Sequence, residues 1–235
     1  MYRQDPLCPG RGGEVEAAAE RPGPGKERCP AMIKNVVFDM GGVLIDFDAQ
    51  RYITRFVPDP ADYEPIRREL FRSLEWVWTD RGAITDEEMA EAVCARLPER
   101  LHPVVWDIVN NWHQDIPPLE GVYELVKELK GKGYRIYLLS NTCTRFHDFR
   151  KNIPALEFFD GEFVSCDFHF VKPEPGIYLR FLEYFRLRPE ECVFIDDDPR
   201  NIEAAVRCGM GGVIFHGDTA HLRLRLRELG VDAAC

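Results

Sequence analysis

The stretch Asn35-Val36-Val37-Phe38-Asp39-Met40-Gly41-Gly42-Val43-Leu44-Ile45-Asp46 restricts what this chain can fold into more than any other segment. Apolar β-formers run up to a single carboxylate, and a glycine pair then breaks the strand, leaving Asp39 at its carboxyl end. A short strand that is apolar on both sides is the pattern of burial within a parallel sheet. In an open α/β sheet, ligands bind beyond the carboxyl ends of the strands. A charge held at such a tip needs a partner such as a cation, which makes Asp39 the candidate reacting group.

Downstream the period changes. Ile45 to Gln50 reads as a connector, and after Arg51 the residues Ile66, Leu70, Leu74 and Trp78 recur every four positions, a helical stripe ended by Gly82. Thr85, followed three residues later by Glu88, is a capping box opening a helix with Met89, Val93 and Leu97 on one face. Pro103 opens a further helix carrying Trp106, Val109 and His113. All four tryptophans (Trp76, Trp78, Trp106 and Trp112) fall in this region, where they are expected to fill the core of a small helical bundle. Pro117-Pro118 marks its end.

Beyond the prolines, strands and helices alternate. The pattern predicts a helix over 119–130, a strand over 134–139 ending in Ser140-Asn141-Thr142, a helix from about Thr144 and a strand over 161–165. Val171-Lys172-Pro173-Glu174-Pro175 leads into a helix with Ile177, Phe181, Leu182 and Phe185 inward. A strand over 192–195 runs into Asp196-Asp197-Asp198, Pro199 opens a helix closed by Gly209, a strand covers 212–215, and Leu222, Leu226 and Leu229 share the face of a last helix. The fold class is therefore α/β, a doubly wound parallel sheet with an inserted all-helical segment. The expected organisation is 1–31 as a disordered extension, 32–48 and 117–235 as the two parts of the core, and 49–116 as the helical insert.

Composition narrows the function. Before Met32, five basic residues (Arg3, Arg11, Arg21, Lys26, Arg28) match five acidic ones (Asp5, Glu14, Glu16, Glu20, Glu27), so the formal charge of −10 belongs to the chain from Met32 onward. An acidic surface argues against nucleic acid, which is bound through an excess of Lys and Arg. The first 31 residues, rich in Pro, Gly and charge, hold too little apolar surface to order themselves, and Met32 is a possible alternative start. No apolar run approaches a membrane span and no apolar segment follows the first charges, so a soluble, cytoplasmic protein, monomeric or homodimeric, is expected. The eight cysteines are scattered without a Cys-x-x-Cys, as reduced, mostly buried thiols would be.

Three expected strand tips bring Asp39, Ser140-Asn141 and Asp196-Asp197 to one edge, with Lys172 nearby. Carboxylates from two strands make a hard-oxygen site suited to Mg²⁺, while a hydroxyl, backbone N–H groups and a lysine can hold phosphate oxygens. A carboxylate can also attack phosphorus, splitting transfer to water into two steps. Asp198 is the better cap for the helix after Pro199. Asp46, Asp48, Arg145 and His147, near the mouth of the edge, are expected in solvated or structural roles.

Four motifs in order (Phe38-Asp39-Met40-Gly41-Gly42-Val43-Leu44, Leu139-Ser140-Asn141, Lys172-Pro173-Glu174-Pro175 and Phe194-Ile195-Asp196-Asp197) carry a resemblance. From Met32 to about Leu229 the chain resembles the haloacid dehalogenase-like hydrolase superfamily, a Rossmann-like fold with a helical cap between the first two motifs, and it is similar to sugar-phosphate phosphatases of the glucose-1-phosphate type. The resemblance implies Asp39 as nucleophile and Mg²⁺ ligand, the Gly41 carbonyl as a further ligand, and Asp197 as metal carboxylate assisted by Asp196. Ser140, Asn141 and Lys172 would hold the phosphoryl group of a small phosphorylated substrate, with Lys172 steadying both aspartates. The chain departs from the phosphatase pattern at Gly41, where a second Asp usually serves as general acid and base. Three readings stay open: a Mg²⁺-dependent phosphatase, a metal-free 2-haloacid dehalogenase, and a non-catalytic member that binds a ligand or partner.

Overall fold

The computed structural model describes residues 32–114 and 116–233; the expected disordered extension, with Cys8 and Cys29, and the terminal Cys235 lie outside the described residues. Five strands form one parallel sheet in the order β3-β2-β1-β4-β5: β1 Asn35–Phe38, β2 Arg135–Ser140, β3 Gly161–Val164, β4 Cys192–Asp196 and β5 Gly211–Ile214. The chain builds outward from β1 through β2 to β3, then returns to the other side for β4 and β5. Strand order therefore reverses at β1, the place where open α/β sheets bind ligands. Phe38 is level with Leu138 and with Ile195, so the residues after β1, β2 and β4 emerge together.

Helices cover both faces, and the alternation of side chains along each strand divides the core accordingly. One cluster joins Val36, Phe38, Ile136 and Leu138 to α6 (Val122–Gly131) and α11 (Thr219–Glu228). The other joins Val37, Tyr137, Leu139 and Phe194 to α9 (Pro175–Phe185) and α10 (Pro199–Arg207). Short helices α7 (Phe146–Phe149) and α8 (Ser165–Phe168) follow β2 and β3. Expected elements are displaced by one to three residues: the helix expected from Leu119 starts at Val122, after Gly121 at φ 74°. Cys94, Cys143, Cys166 and Cys192 are buried free thiols and Cys208 is partly buried. Among the described residues, no helix is long and apolar enough to cross a membrane.

Between β1 and β2 the described chain is helical: α1 (Ala49–Phe56), α2 (Tyr63–Ile66), α3 (Leu74–Asp80), α4 (Asp86–Cys94) and α5 (His102–Asn111). The capping box of α4 forms in both directions, Glu88 N–H to Thr85 Oγ1 at 3.1 Å and Thr85 N–H to Glu88 Oε2 at 2.8 Å. Two expectations hold only in part here. The four-residue stripe holds for Ile66 and Leu70, both fully buried, but Leu74 and Trp78 are exposed. A π-type turn over Arg67–Phe71 and a new N-cap at Ser73, whose hydroxyl accepts from Trp76 N–H at 3.0 Å, restart the helix in a different phase. Three of the four tryptophans enter an apolar core as expected, but Trp78 does not, and that core is shared with the sheet. Trp112 is buried, Trp76 and Trp106 are half-buried, and the insert's apolar residues run continuously into the cluster on one face of the sheet.

Candidate active site

The tip of β1 sets the site. Asp39 N–H donates to the Ile195 carbonyl at 2.9 Å, carrying the β1–β4 pairing one residue past the strand and holding Asp39 beside Asp196. The chain then turns sharply: the Met40 carbonyl accepts from Leu44 N–H at 2.8 Å and Ile45 N–H at 3.0 Å. Gly42, at φ +72°, is the residue this turn requires, and a Cβ there would lie 2.6 Å from the Asp197 carboxylate carbon. The special backbone belongs to Gly42 and not to Gly41, where a Cβ would meet the Phe47 side chain, its Cβ at 3.3 Å.

Lys172 is the electrostatic centre. Its Nζ lies 2.7 Å from Asp39 Oδ1 and 2.7 Å from Asp196 Oδ2, and all three residues are buried. Burial opposes the lysine's charge, but the two carboxylates outweigh it and hold its pKa above the ordinary value. Asp39 is pushed upward, by burial first, with Lys172 pulling the other way and Asp196 adding to the rise. The two aspartates differ in their partners. Asp196 also accepts from Asp198 N–H at 2.8 Å and from Asn201 Nδ2 at 3.0 and 3.1 Å, so its lone pairs are spent within the protein. Asp39 Oδ1 is paired with Lys172, and no other side chain bonds the Asp39 carboxylate among the described residues. Asp197 is exposed as a residue, yet its carboxylate lies against Gly42; burial of that group and the charge of Asp196 raise its pKa.

The β2 tip faces the same space. Asn141 clamps the backbone of Lys172 in both directions, donating from Nδ2 to its carbonyl at 3.0 Å and accepting its N–H at 2.8 Å. The Asn141 amide is thus committed to placing Lys172. Ser140 Oγ has only a long contact, 3.3 Å, to the Asn141 carbonyl. Thr142, next along the β2 tip, has a buried Oγ1 with no hydrogen-bond partner among the described residues. Asp39, Gly41, Ser140, Asn141, Thr142 and Asp197 all line one cavity of about 240 Å³. A more open depression of about 440 Å³ along Gly82–Glu88 with Thr144, Arg145 and Asp148 lacks these carboxylates.

The insert supplies the remaining wall: Phe47 from the connector, Trp76, Trp112 and Asp80. Asp80 is a functional candidate that the pattern reading missed. Its signal was an acid one turn or less from a helix-ending glycine, where the helix dipole disfavours negative charge. Of the polar residues expected at the mouth, Asp46 pairs with Arg51, Asp48 caps α1, Arg145 pairs with Asp86, and His147 bonds Asp167 at 3.0 Å. None of these four lines the cavity.

The donor set fits a hard divalent cation. One ligand oxygen each from Asp39, Asp196 and Asp197 lies within 4.8 Å of the others, Asp39, Gly41 and Asp197 line the same cavity, and no hydrogen bond to the Gly41 carbonyl is made among the described residues.

A family model described as haloacid dehalogenase-like hydrolase matches residues 33–209. A flavin mononucleotide hydrolase of Arabidopsis thaliana is 28% identical over 116 residues, 49% of this chain and 47% of that protein, so the chain spans about half the length of that relative. A D-ribitol-5-phosphate phosphatase of Bacteroides thetaiotaomicron is 27% identical over 192 residues, 76% of this chain and 89% of that protein. Among solved structures, an enzyme from Bacteroides thetaiotaomicron in complex with magnesium and inorganic phosphate superposes with a TM-score of 0.63 at 25% identity, covering 81% of this chain and 98% of that one.

Proposed function

Because this chain belongs to the haloacid dehalogenase-like hydrolase family, we propose that it is a phosphatase acting on a small phosphate monoester, with a sugar phosphate as the favoured class. The observation that carries this reading is the Asp39 carboxylate, held 2.7 Å from a charged, buried lysine, in one cavity with the Thr142 hydroxyl, a buried group with no hydrogen-bond partner among the described residues. Unsatisfied polar atoms at such depth are costly unless a ligand completes them. A phosphoryl oxygen can accept from the Thr142 hydroxyl, and the lysine's charge suits the anion.

In this reading Asp39 attacks phosphorus and forms an aspartyl-phosphate, which water then hydrolyses. Lys172 neutralises the phosphoryl oxygens and keeps Asp39 oriented; Asp196 holds Lys172 from behind, and Asn141 fixes its backbone. Ser140 and Thr142 offer hydroxyls to the phosphoryl group. Asp39, the Gly41 carbonyl and Asp197 would hold Mg²⁺, with Asp196 behind them, and the ion would supply charge to stabilise the phosphoryl oxygens in the transition state. The helices of the insert act as a cap, and the faces of Trp76 and Trp112 suit the C–H face of a sugar ring. A space of 240 Å³ sits below the usual range for drug-sized ligands, favouring a compact substrate. The metal-free dehalogenase reading leaves the free carboxylate of Asp197 without a task. The test is turnover of a panel of phosphate esters and 2-haloacids, with Mg²⁺ and with chelator. Phosphate release only with Mg²⁺ supports the reading; halide release in chelator replaces it.

A further inference from the structure

We propose that Asp80, reaching the cavity from the helical insert, is the general acid and base of this site, replacing the carboxylate absent at Gly41; this rests on the phosphatase reading.

Asp80 is the last residue of α3 and lines the cavity with Asp39 and Thr142. The cavity holds only about 240 Å³, equivalent to a sphere about 8 Å across, so an ester on phosphorus at Asp39 and the wall that carries Asp80 share one small space. Its position is held by its own backbone neighbourhood. The Asp80 carbonyl accepts from Ser165 Oγ at 2.5 Å, the Arg81 guanidinium donates to Glu174 Oε2 at 3.0 Å and to the His169 carbonyl at 3.2 Å, and a Cβ on Gly82 would lie 2.4 Å from the Cys166 carbonyl oxygen. Three consecutive residues of the insert are thus fastened to the core. The Asp80 carboxylate itself, by contrast, has no hydrogen bond or ion pair among the described residues.

Its surroundings keep it protonated. Trp76, Thr79, Met89, Trp112 and Cys143 pack behind it together with Asp86. Burial, and then the charge of Asp86, push its pKa to about 8; Lys172 pulls the other way and Asp39 adds a smaller rise. The other charged or titratable groups on this side are Arg145, already paired with Asp86, the buried thiols Cys143 and Cys166, and Asp197 across the cavity. A carboxyl among two tryptophans, a methionine and a second acid, in the same cavity as the carboxylate that is the nucleophile, is an arrangement that separates acid from nucleophile. In the first step Asp39 Oδ forms a bond to phosphorus, the P–O ester bond breaks, and the Asp80 proton passes to the leaving oxygen to give the alcohol. In the second, the Asp80 carboxylate takes a proton from water as that water bonds to phosphorus and the P–O bond to Asp39 breaks, releasing phosphate and restoring Asp80.

Wild type, Asp80→Asn and Asp80→Glu are compared with Mg²⁺ over alkyl and aryl phosphates from pH 5 to 9, with stopped-flow of 4-nitrophenyl phosphate. Asp80→Asn loses about a hundredfold to ten-thousandfold on alkyl phosphates but keeps a rapid burst of nitrophenolate, because that leaving group needs no proton. Its rate also no longer declines above pH 8, and Asp80→Glu recovers part of the loss. An Asp80→Asn enzyme with wild-type leaving-group dependence and wild-type pH profile overturns the assignment of Asp80 alone. A wild type that releases phosphate from none of these esters overturns the phosphatase reading and this proposal with it.

Discussion

At the scale of single residues, the site is a set of buried charges that do not sum to zero without help. Asp39 and Asp196 share Lys172, and Asp197 stands beside them. Asp39→Asn is expected to abolish turnover while leaving the melting temperature within a few degrees of wild type, since Lys172 keeps Asp196; phosphate release and thermal unfolding measure both. Lys172→Met leaves two adjacent buried carboxylates unpaired and should cost about 3–5 kcal/mol, read from denaturant midpoints. Asp197→Ala should weaken Mg²⁺ binding with little change in stability. Asp196→Ala should destabilise the fold, because Asp196 alone bonds Lys172, Asn201 and the turn at Asp198. Asp80 adds a pH signature independent of catalysis. Its folded pKa is raised, so between the ordinary carboxylate value and about 8 the native state binds more protons than the unfolded state, and stability falls as pH rises through that window. Asp80→Asn should therefore raise the melting temperature relative to wild type at pH 8.5 and change it little at pH 4.

At the scale of elements, the insert is fixed to the sheet by Gly82. At φ +68° and with the Cys166 carbonyl 2.4 Å from where a Cβ would stand, Gly82→Ala must shift α3 away from α8. The expected result is a large loss of kcat with folded structure retained, checked by circular dichroism and turnover. Strands and helices of the sheet were legible because their patterns are local: β1 and β4 are apolar runs ended by carboxylates, and α4 declares itself through Thr85 and Glu88. Leu74 and Trp78 were misread because a single Ser cap resets helix phase, which a count of four-residue spacings does not register. The tips carrying Asp39, Ser140 and Asp196 could be gathered from strand order, and Lys172, in the loop after α8, only from its Lys-Pro-Glu-Pro setting. Asp80 could not, because its place depends on how one helix end of the insert meets α8, a tertiary contact made through backbone atoms and a glycine.

At the scale of the molecule, an acidic chain holds an acidic cavity, and a divalent cation bound only by the folded state stabilises it by mass action. Mg²⁺ at a hundred times its dissociation constant should add about 2.7 kcal/mol, seen as a rise in melting temperature that chelator removes and Asp197→Ala abolishes. The insert and the sheet share one continuous apolar cluster, so a single unfolding transition is expected. Their junction has one more property. The Ser165 hydroxyl gives its proton to the Asp80 carbonyl and accepts the Thr142 amide at 2.9 Å, joining the insert and the β2 tip through one oxygen. The Thr142 amide is therefore a clock: its exchange with deuterated solvent counts how often the two halves part, and a phosphate analogue seated between them should slow it.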